Sequence, residues 1–251
     1  WSSIKIIIIA LIKIFIIGFW FFFQNSVLGQ INFNSNLNVN YGDGSIYNYN
    51  ALGPSVEEYY NYSQILFDLN IYDGPWSLHS QIEFSDPPEI GIRFKGLRRF
   101  TFTYEKDKYN ILIGDIYKSW GKGLVLSQYD DISIGYDNGI RGAAISYSYF
   151  GTNVEFLTGN KKIRSFTNFN SISRIPDKNT TNNLIAMRVD RRLGDIEIGV
   201  STLTNKEKFS INTFGSDSSI ASHNLNSING SYFGENFDFS IEYANKYTAI
   251  R

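Results

Sequence analysis

Phe100-Thr101-Phe102-Thr103-Tyr104, then Glu105-Lys106-Asp107-Lys108, then Tyr109-Asn110-Ile111-Leu112-Ile113 is the stretch that decides the fold. Its first arm alternates aromatic and hydroxyl residues with a period of two. Four charged residues follow, and an apolar arm leads back. Side chains on a strand point alternately to opposite faces, so this pattern reads as an antiparallel hairpin with a tight polar turn.

The same unit recurs in both directions. Upstream, Ile65, Phe67, Leu69 and Ile71 share a parity, Asp73-Gly74-Pro75 turns the chain, and Trp76, Leu78, Ile82 and Phe84 return. Downstream, Ala143, Ile145, Tyr147 and Tyr149 precede a turn at Phe150-Gly151, and Val154 and Phe156 follow it. Ile185, Met187 and Val189 lead to a turn at Arg192-Leu193-Gly194-Asp195, and Ile196, Ile198 and Val200 come back. A last hairpin turns at Phe233-Gly234-Glu235-Asn236. Between the hairpins lie longer polar stretches, read as loops over 42–59, 85–96, 160–182 and after Ile211. Within the first of these, Gly42-Asp43-Gly44-Ser45 is expected to end the first strand. Pro87 and Pro88 stop the strand before them, because proline cannot donate to a central ladder. About ten to twelve strands are expected. No period of 3.6 occurs beyond the N-terminal region.

Short turns alternating with long loops, and strands with one apolar and one polar or small face, form the pattern of a transmembrane β-barrel. About 9–11 residues cross a bilayer as a tilted strand, and the alternating segments approach that length. A sheet in hydrocarbon must close on itself, since no water is there to satisfy a free edge. The high aromatic load, 17 Tyr and 20 Phe, suits interfacial girdles. The competing fold is a secreted β-sandwich or solenoid, which shows the same alternation with its apolar face turned inward.

At the N-terminus, Lys5 precedes an apolar run from Ile6 to Phe23 that only Lys13 breaks, and Val27-Leu28-Gly29 supplies small residues for cleavage. The expected organisation is a signal peptide over 1–29, cut after Gly29, and an outer-membrane barrel over 30–251. The alternative is an uncleaved anchor. The chain stops in or just after a strand, so the barrel is expected to be incomplete, with C-terminal strands missing. Cysteine is absent, which removes disulfides, thiolate zinc sites and cysteine nucleophiles. A net charge of -1 offers no global attraction to nucleic acid.

One segment departs from the repeating hairpins. Gly114-Asp115-Ile116-Tyr117 leads into Trp120-Gly121-Lys122-Gly123-Leu124-Val125-Leu126, and Asp137-Asn138-Gly139-Ile140-Arg141-Gly142 closes it. Gly121 and Gly123 permit positive φ or close backbone approach. Candidate luminal or ligand-contacting residues are Asp115, Trp120, Lys122, Asp137, Asn138 and Arg141. Lys122 could present its ammonium to the lumen, and Asp115, Asp137 and Arg141 could form a luminal charge network. The plainer reading is a bulged turn whose charges pair with one another. These motifs resemble an uncharacterised family of outer-membrane proteins of Bacteroidota and related Gram-negative bacteria, known as a domain of unknown function. The resemblance covers about 104–142, with Trp120 where Phe is expected and Lys122 where Arg is commoner. It implies an outer-membrane barrel and no assigned activity.

No catalytic, cofactor-binding or metal-binding constellation is visible, and the chain is not read as an enzyme. His79 is expected as a luminal or interfacial polar residue and His223 in a loop, with no nucleophile at motif spacing. Arg98-Arg99 and Lys161-Lys162-Arg164 are read as loop-flanked cations facing water or lipopolysaccharide phosphates. The favoured function is a porin-like channel or uptake barrel for small solutes. Its rival is a non-conducting structural or ligand- or partner-binding barrel. Expected partners are outer-membrane lipid, lipopolysaccharide and small solutes, and no nucleic acid.

Overall fold

The computed structural model describes residues 31–48, 56–89, 92–131, 136–165, 178–211 and 218–250. The expected signal peptide, 1–29, lies outside them, and the chain divides after Asn32 into two units. The second unit, Phe33–Arg251, carries the sheet.

Thirteen strands are described: β1 (Asn32–Asn48), β2 (Val56–Asp73), β3 (Trp76–Ser85), β4 (Phe94–Lys106), β5 (Tyr109–Ile116), β6 (Asp130–Asp131), β7 (Tyr136–Asp137), β8 (Ile140–Tyr149), β9 (Thr152–Ser165), β10 (Lys178–Leu193), β11 (Ile196–Ile211), β12 (Ser218–Phe233) and β13 (Asp238–Ile250). Eleven of them form one sheet in chain order, β1-β2-β3-β4-β5-β8-β9-β10-β11-β12-β13, while β6 and β7 pair separately. The pairings from β2 onward are antiparallel. The fold is thus an all-β antiparallel meander, in a single sheet rather than the two layers of a sandwich. Among the described residues there is no helix and no pairing between β1 and β13.

The short turns fall where the hairpin pattern places them. At Phe150-Gly151 both residues take positive φ, 44° and 73°, and this left-handed geometry matches the twist of the flanking strands. The strands are longer than the apolar alternation suggests. β1 continues through Gly42-Asp43-Gly44-Ser45 to Asn48, β9 reaches Ser165, and β11 runs unbroken to Ile211. The ladder is held by backbone hydrogen bonds, which polar residues make as well as apolar ones. Alternation marks only the part of each strand that faces an apolar medium.

The two faces differ sharply. One carries Gln64, Leu66, Gln81, Glu83, Ala144, Glu155, Leu157, Arg188, Ser201 and Ser227, all buried. The other carries exposed apolar residues on every long strand, with Val200 at 54%, Phe239 at 59% and Ile241 at 62% accessible. On β10 the outer row from Ile185 to Leu193, apolar except for Arg191 near the turn, extends about 26 Å along the strand, which at a barrel tilt of about 40° is about 20 Å of height. Beyond it the outer row turns polar, at Thr202, Thr204 and Lys206 on β11.

Aromatic rings collect at the short-turn end. Trp76 lies 5.2 Å from Phe102 and 4.2 Å from Tyr104, and Tyr109 lies 4.9 Å from Tyr147. Tyr149 and Phe150 meet edge-on at 4.3 Å, and Lys108 sits over the Tyr149 ring. These rings have an apolar body and, for Tyr and Trp, a polar tip, which suits a boundary between water and a greasy layer.

Candidate functional site

The glycine-rich segment between β5 and β8 is not a bulged turn in the wall. It leaves the sheet after Ile116 and folds over the inner face as a small hairpin. Trp120 N donates to Leu126 O at 2.9 Å, Gln128 N donates to Lys118 O at 2.9 Å, and Ser119 bridges to Ser127. Gly121 and Gly123 form its tip at φ 56° and 85°, a region where a side chain would be strained. At the tip Gly123 N closes a turn on Trp120 O at 2.8 Å.

The hairpin is held from beneath by apolar packing. Trp120 (3% exposed), Val125 and Leu126 join Ile116, Ile140, Ala144, Leu157, Leu184, Ala186 and Leu203 in one buried cluster. Inner residues of β5, β8, β9, β10 and β11 therefore supply its floor. Polar contacts tie it at several points. Lys118 pairs with the buried Glu155 of β9. Lys122 N donates to Glu242 Oε2 of β13 at 2.7 Å. A Cβ on Gly121 would lie 2.9 Å from the same carboxylate.

Beyond the hairpin, Asp130 of β6 pairs with Arg99 and lies 3.8 Å from Arg98. Both arginines reach the inner face because the β3–β4 register slips by one residue between Gln81 and Ile82. In a flat sheet β4 and β13 would stand about 34 Å apart. A single segment touches both, so the sheet curls around it.

The Asp137-Asn138 pair braces the base of this segment. Asp137 Oδ1 accepts from Gly139 N at 3.0 Å, Lys161 Nζ at 2.8 Å and Tyr117 OH at 3.3 Å. Burial, then the neighbouring Asp137 charge, pushes the Tyr117 phenol well above its usual pKa, so it stays a donor. Asn138 Oδ1 accepts from Tyr129 N at 2.6 Å, and its Nδ2 donates to Ser127 O at 2.9 Å.

Asp115 and Arg141 do form an ion pair, with Nη2 and Nε at 2.7 and 3.0 Å from the carboxylate. Arg141 shares its parity with the exposed Ala143 and Ile145, not with the buried Ile140 and Ala144. Asp115 Oδ2 also accepts from Phe100 N at 2.8 Å, next to the last rung of the β4–β5 ladder. The pair thus completes the wall of the sheet, and among the described residues none of its hydrogen bonds reaches Asp137. Of the six candidates, Trp120 is covered, Asp137 and Asn138 brace the loop, and Asp115 and Arg141 bond within the wall. Lys122 contributes its backbone N–H to Glu242, on the exposed tip.

Three other expectations are corrected. Arg98 and Arg99 lie in β4 and are paired, Arg98 with Glu83 at 2.6 Å, so they are not loop cations. Lys161 lies in β9 and binds Asp137. His223 lies in β12, its Nδ1 2.9 Å from Thr248 Oγ1 and its Nε2 3.0 Å from Glu207 Oε2. A register of Asn205 opposite His223 and His223 opposite Thr248 makes these ordinary cross-strand contacts. His79 bonds Asn70 Oδ1 at 2.7 Å on the inner face. Sequence reading missed Glu155, Arg188, Glu207 and Glu242. Strict parity from Leu157 and from Ala186 marks the first two as inner-face positions, but nothing local ties Glu242 to Gly121.

The arrangement defines a class: a β-meander of barrel type with one connection folded onto its inner face. The chain belongs to a family of unknown function (DUF6029), whose model matches residues 5–250. No curated protein matches it. Among solved structures it is similar to OmpT, an outer membrane protein of Vibrio cholerae in trimer form, at 13% identity, over 88% of this chain and 80% of that one, with a TM-score of 0.36. It is also similar to Pseudomonas aeruginosa OccK11 at 11% identity, over 88% and 65%, TM-score 0.31. A mutant Rh. blastica porin follows at 10% identity, over 86% and 100%, TM-score 0.26.

Proposed function

We propose that this chain is an outer-membrane β-barrel of a Gram-negative bacterium, of the Bacteroidota or a related group, through which small polar solutes pass beside the inward hairpin. The observation that carries the reading is the sidedness of the sheet. Its exposed face is dominated by Ile, Val, Phe and Tyr with aromatic rings along one rim, while its inner face is polar outside the hairpin's footprint. A hydrocarbon surround makes that exposure favourable. The N-terminal 1–29 serves as a signal peptide cut after Gly29, and lipid and lipopolysaccharide surround the barrel. No catalytic step is assigned.

The full chain, refolded in detergent and inserted into planar bilayers, is expected to give discrete, reproducible conductance steps. Correctly folded protein that gives no conductance and no solute flux sinks the channel reading. A specific observation favours a second one: the hairpin fills part of the inner space with a packed apolar cluster. In that case the barrel binds a ligand or partner without conducting. N-terminal sequencing of the protein recovered from outer membranes checks the cleavage site.

A further inference from the structure

Beside the hairpin, on the inner face of β9–β13, lies a pocket of about 310 Å³. We propose that it is a binding site for a neutral, hydroxyl-rich solute of the size of a mono- or disaccharide; this deepens the solute-passage reading above and rests on it.

The lining is divided by chemistry. Leu184, Leu203 and Leu225 form an apolar floor, with Val125 and Leu126 of the hairpin at one side. Above the floor stand groups with hydrogen-bonding capacity left over. Gln128 is 7% exposed, yet its Oε1 has no partner. Asn205 donates through Nδ2 to Asn182 Oδ1 at 2.8 Å, but its own Oδ1 is likewise unpartnered. Both oxygens are closed to solvent as they stand, and a buried amide oxygen without a partner costs about 1–3 kcal/mol, so each gains by turning toward a donor in the pocket.

Charge excludes most other ligands. Lys161 is matched by Asp137 at 2.8 Å, and the Glu207 carboxylate is held by His223. Lys246 and Glu207 are opposite in sign, so the lining together with Asp137 carries no net formal charge to select an ion. What fits is a molecule carrying hydroxyls that both donate, to Gln128 and Asn205, and accept, from Lys246, with a C–H face to lay on the leucines. Saccharide rings have this construction. Small-molecule sites are built in the same way, with an apolar lining and a few placed polar groups.

Isothermal titration of the detergent-folded full chain with glucose, maltose and sodium gluconate tests this, run beside bilayer conductance of the same preparation. Saturable heat with glucose or maltose is expected, and sodium gluconate should bind no better. Gln128→Leu lies in the loop and leaves every strand intact, and is expected to weaken sugar binding about ten-fold. Leu203→Trp, which fills the floor, should abolish it, with circular dichroism confirming the sheet. Conductance without sugar binding overturns the pocket and leaves the channel reading standing. Sugar binding without conductance supports the pocket and removes the channel. Gluconate preferred over both sugars, or unchanged affinity in Gln128→Leu, overturns the proposal.

Discussion

On β8 and β9 the inner row Ile140, Ala144 and Leu157 is almost inaccessible, whereas the outer row one residue away, Ile145 and Phe156, remains 43% and 42% exposed. Both rows are apolar and both belong to the same two strands. The inner row is covered by Trp120, Val125 and Leu126 of the folded-in hairpin. The outer row has no such cover among the described residues. In water such a difference would be a defect, since contiguous exposed apolar surface drives association. In a bilayer the outer row is solvated by hydrocarbon, and the hairpin supplies a dry layer over the inner row of these strands. Apolar residues on one strand can therefore do two unrelated jobs, and parity decides which.

This contrast can be broken from the inner side first. Trp120→Ala removes the largest side chain from the hairpin's underside and is expected to cost about 3–5 kcal/mol of local packing. The sheet should persist by circular dichroism. Limited proteolysis between Tyr117 and Asp131 should become rapid, where the wild type resists. Equal resistance in the two proteins would mean that the hairpin is not held by that cluster.

From the outer side, Val200→Arg puts a charge in the exposed band and is expected to destabilise insertion by about 2–4 kcal/mol. Ser148→Lys, on the inner parity of β8, should change it by less than about 0.5 kcal/mol. Urea titration of folding into lipid vesicles measures both. Similar costs at the two positions would show that the sheet has no greasy side.

A smaller effect sharpens the picture at the tip. Glu242→Ala leaves Lys122 N without its acceptor and is expected to loosen the hairpin by about 1.5 kcal/mol. Single-channel noise should rise, and mean conductance should rise modestly. Glu242→Gln keeps an acceptor and should fall between Glu242→Ala and wild type.

How much of this was legible can be judged from particular residues. The hairpin turns at Gly74, Asp107, Phe150-Gly151, Gly194 and Gly234 follow from local chemistry, because positive φ and polar loops declare themselves within four residues. Strand ends were misread at Gly42 and after Asn160, because ladders continue through polar residues that carry no periodic signal. Asp137 and Asn138 stood out as a motif, and they do organise the segment, through contacts with Gly139, Tyr117, Ser127 and Tyr129. The direction of the segment did not stand out. Trp120-Gly121-Lys122-Gly123 can form a bulged turn in the wall or a hairpin over the lumen face with equal local cost.

Periodicity two and turn chemistry are properties of neighbouring residues, so the chain's all-β meander, its turn positions and the apolar parity of each strand were set by the sequence read locally. Which face is enclosed, and what lies on it, depended on pairs far apart in the chain: Lys122 with Glu242, Lys118 with Glu155, Arg99 with Asp130. Those contacts exist only once the sheet has curled, because curvature is what brings β4 and β13 within reach of a single short hairpin.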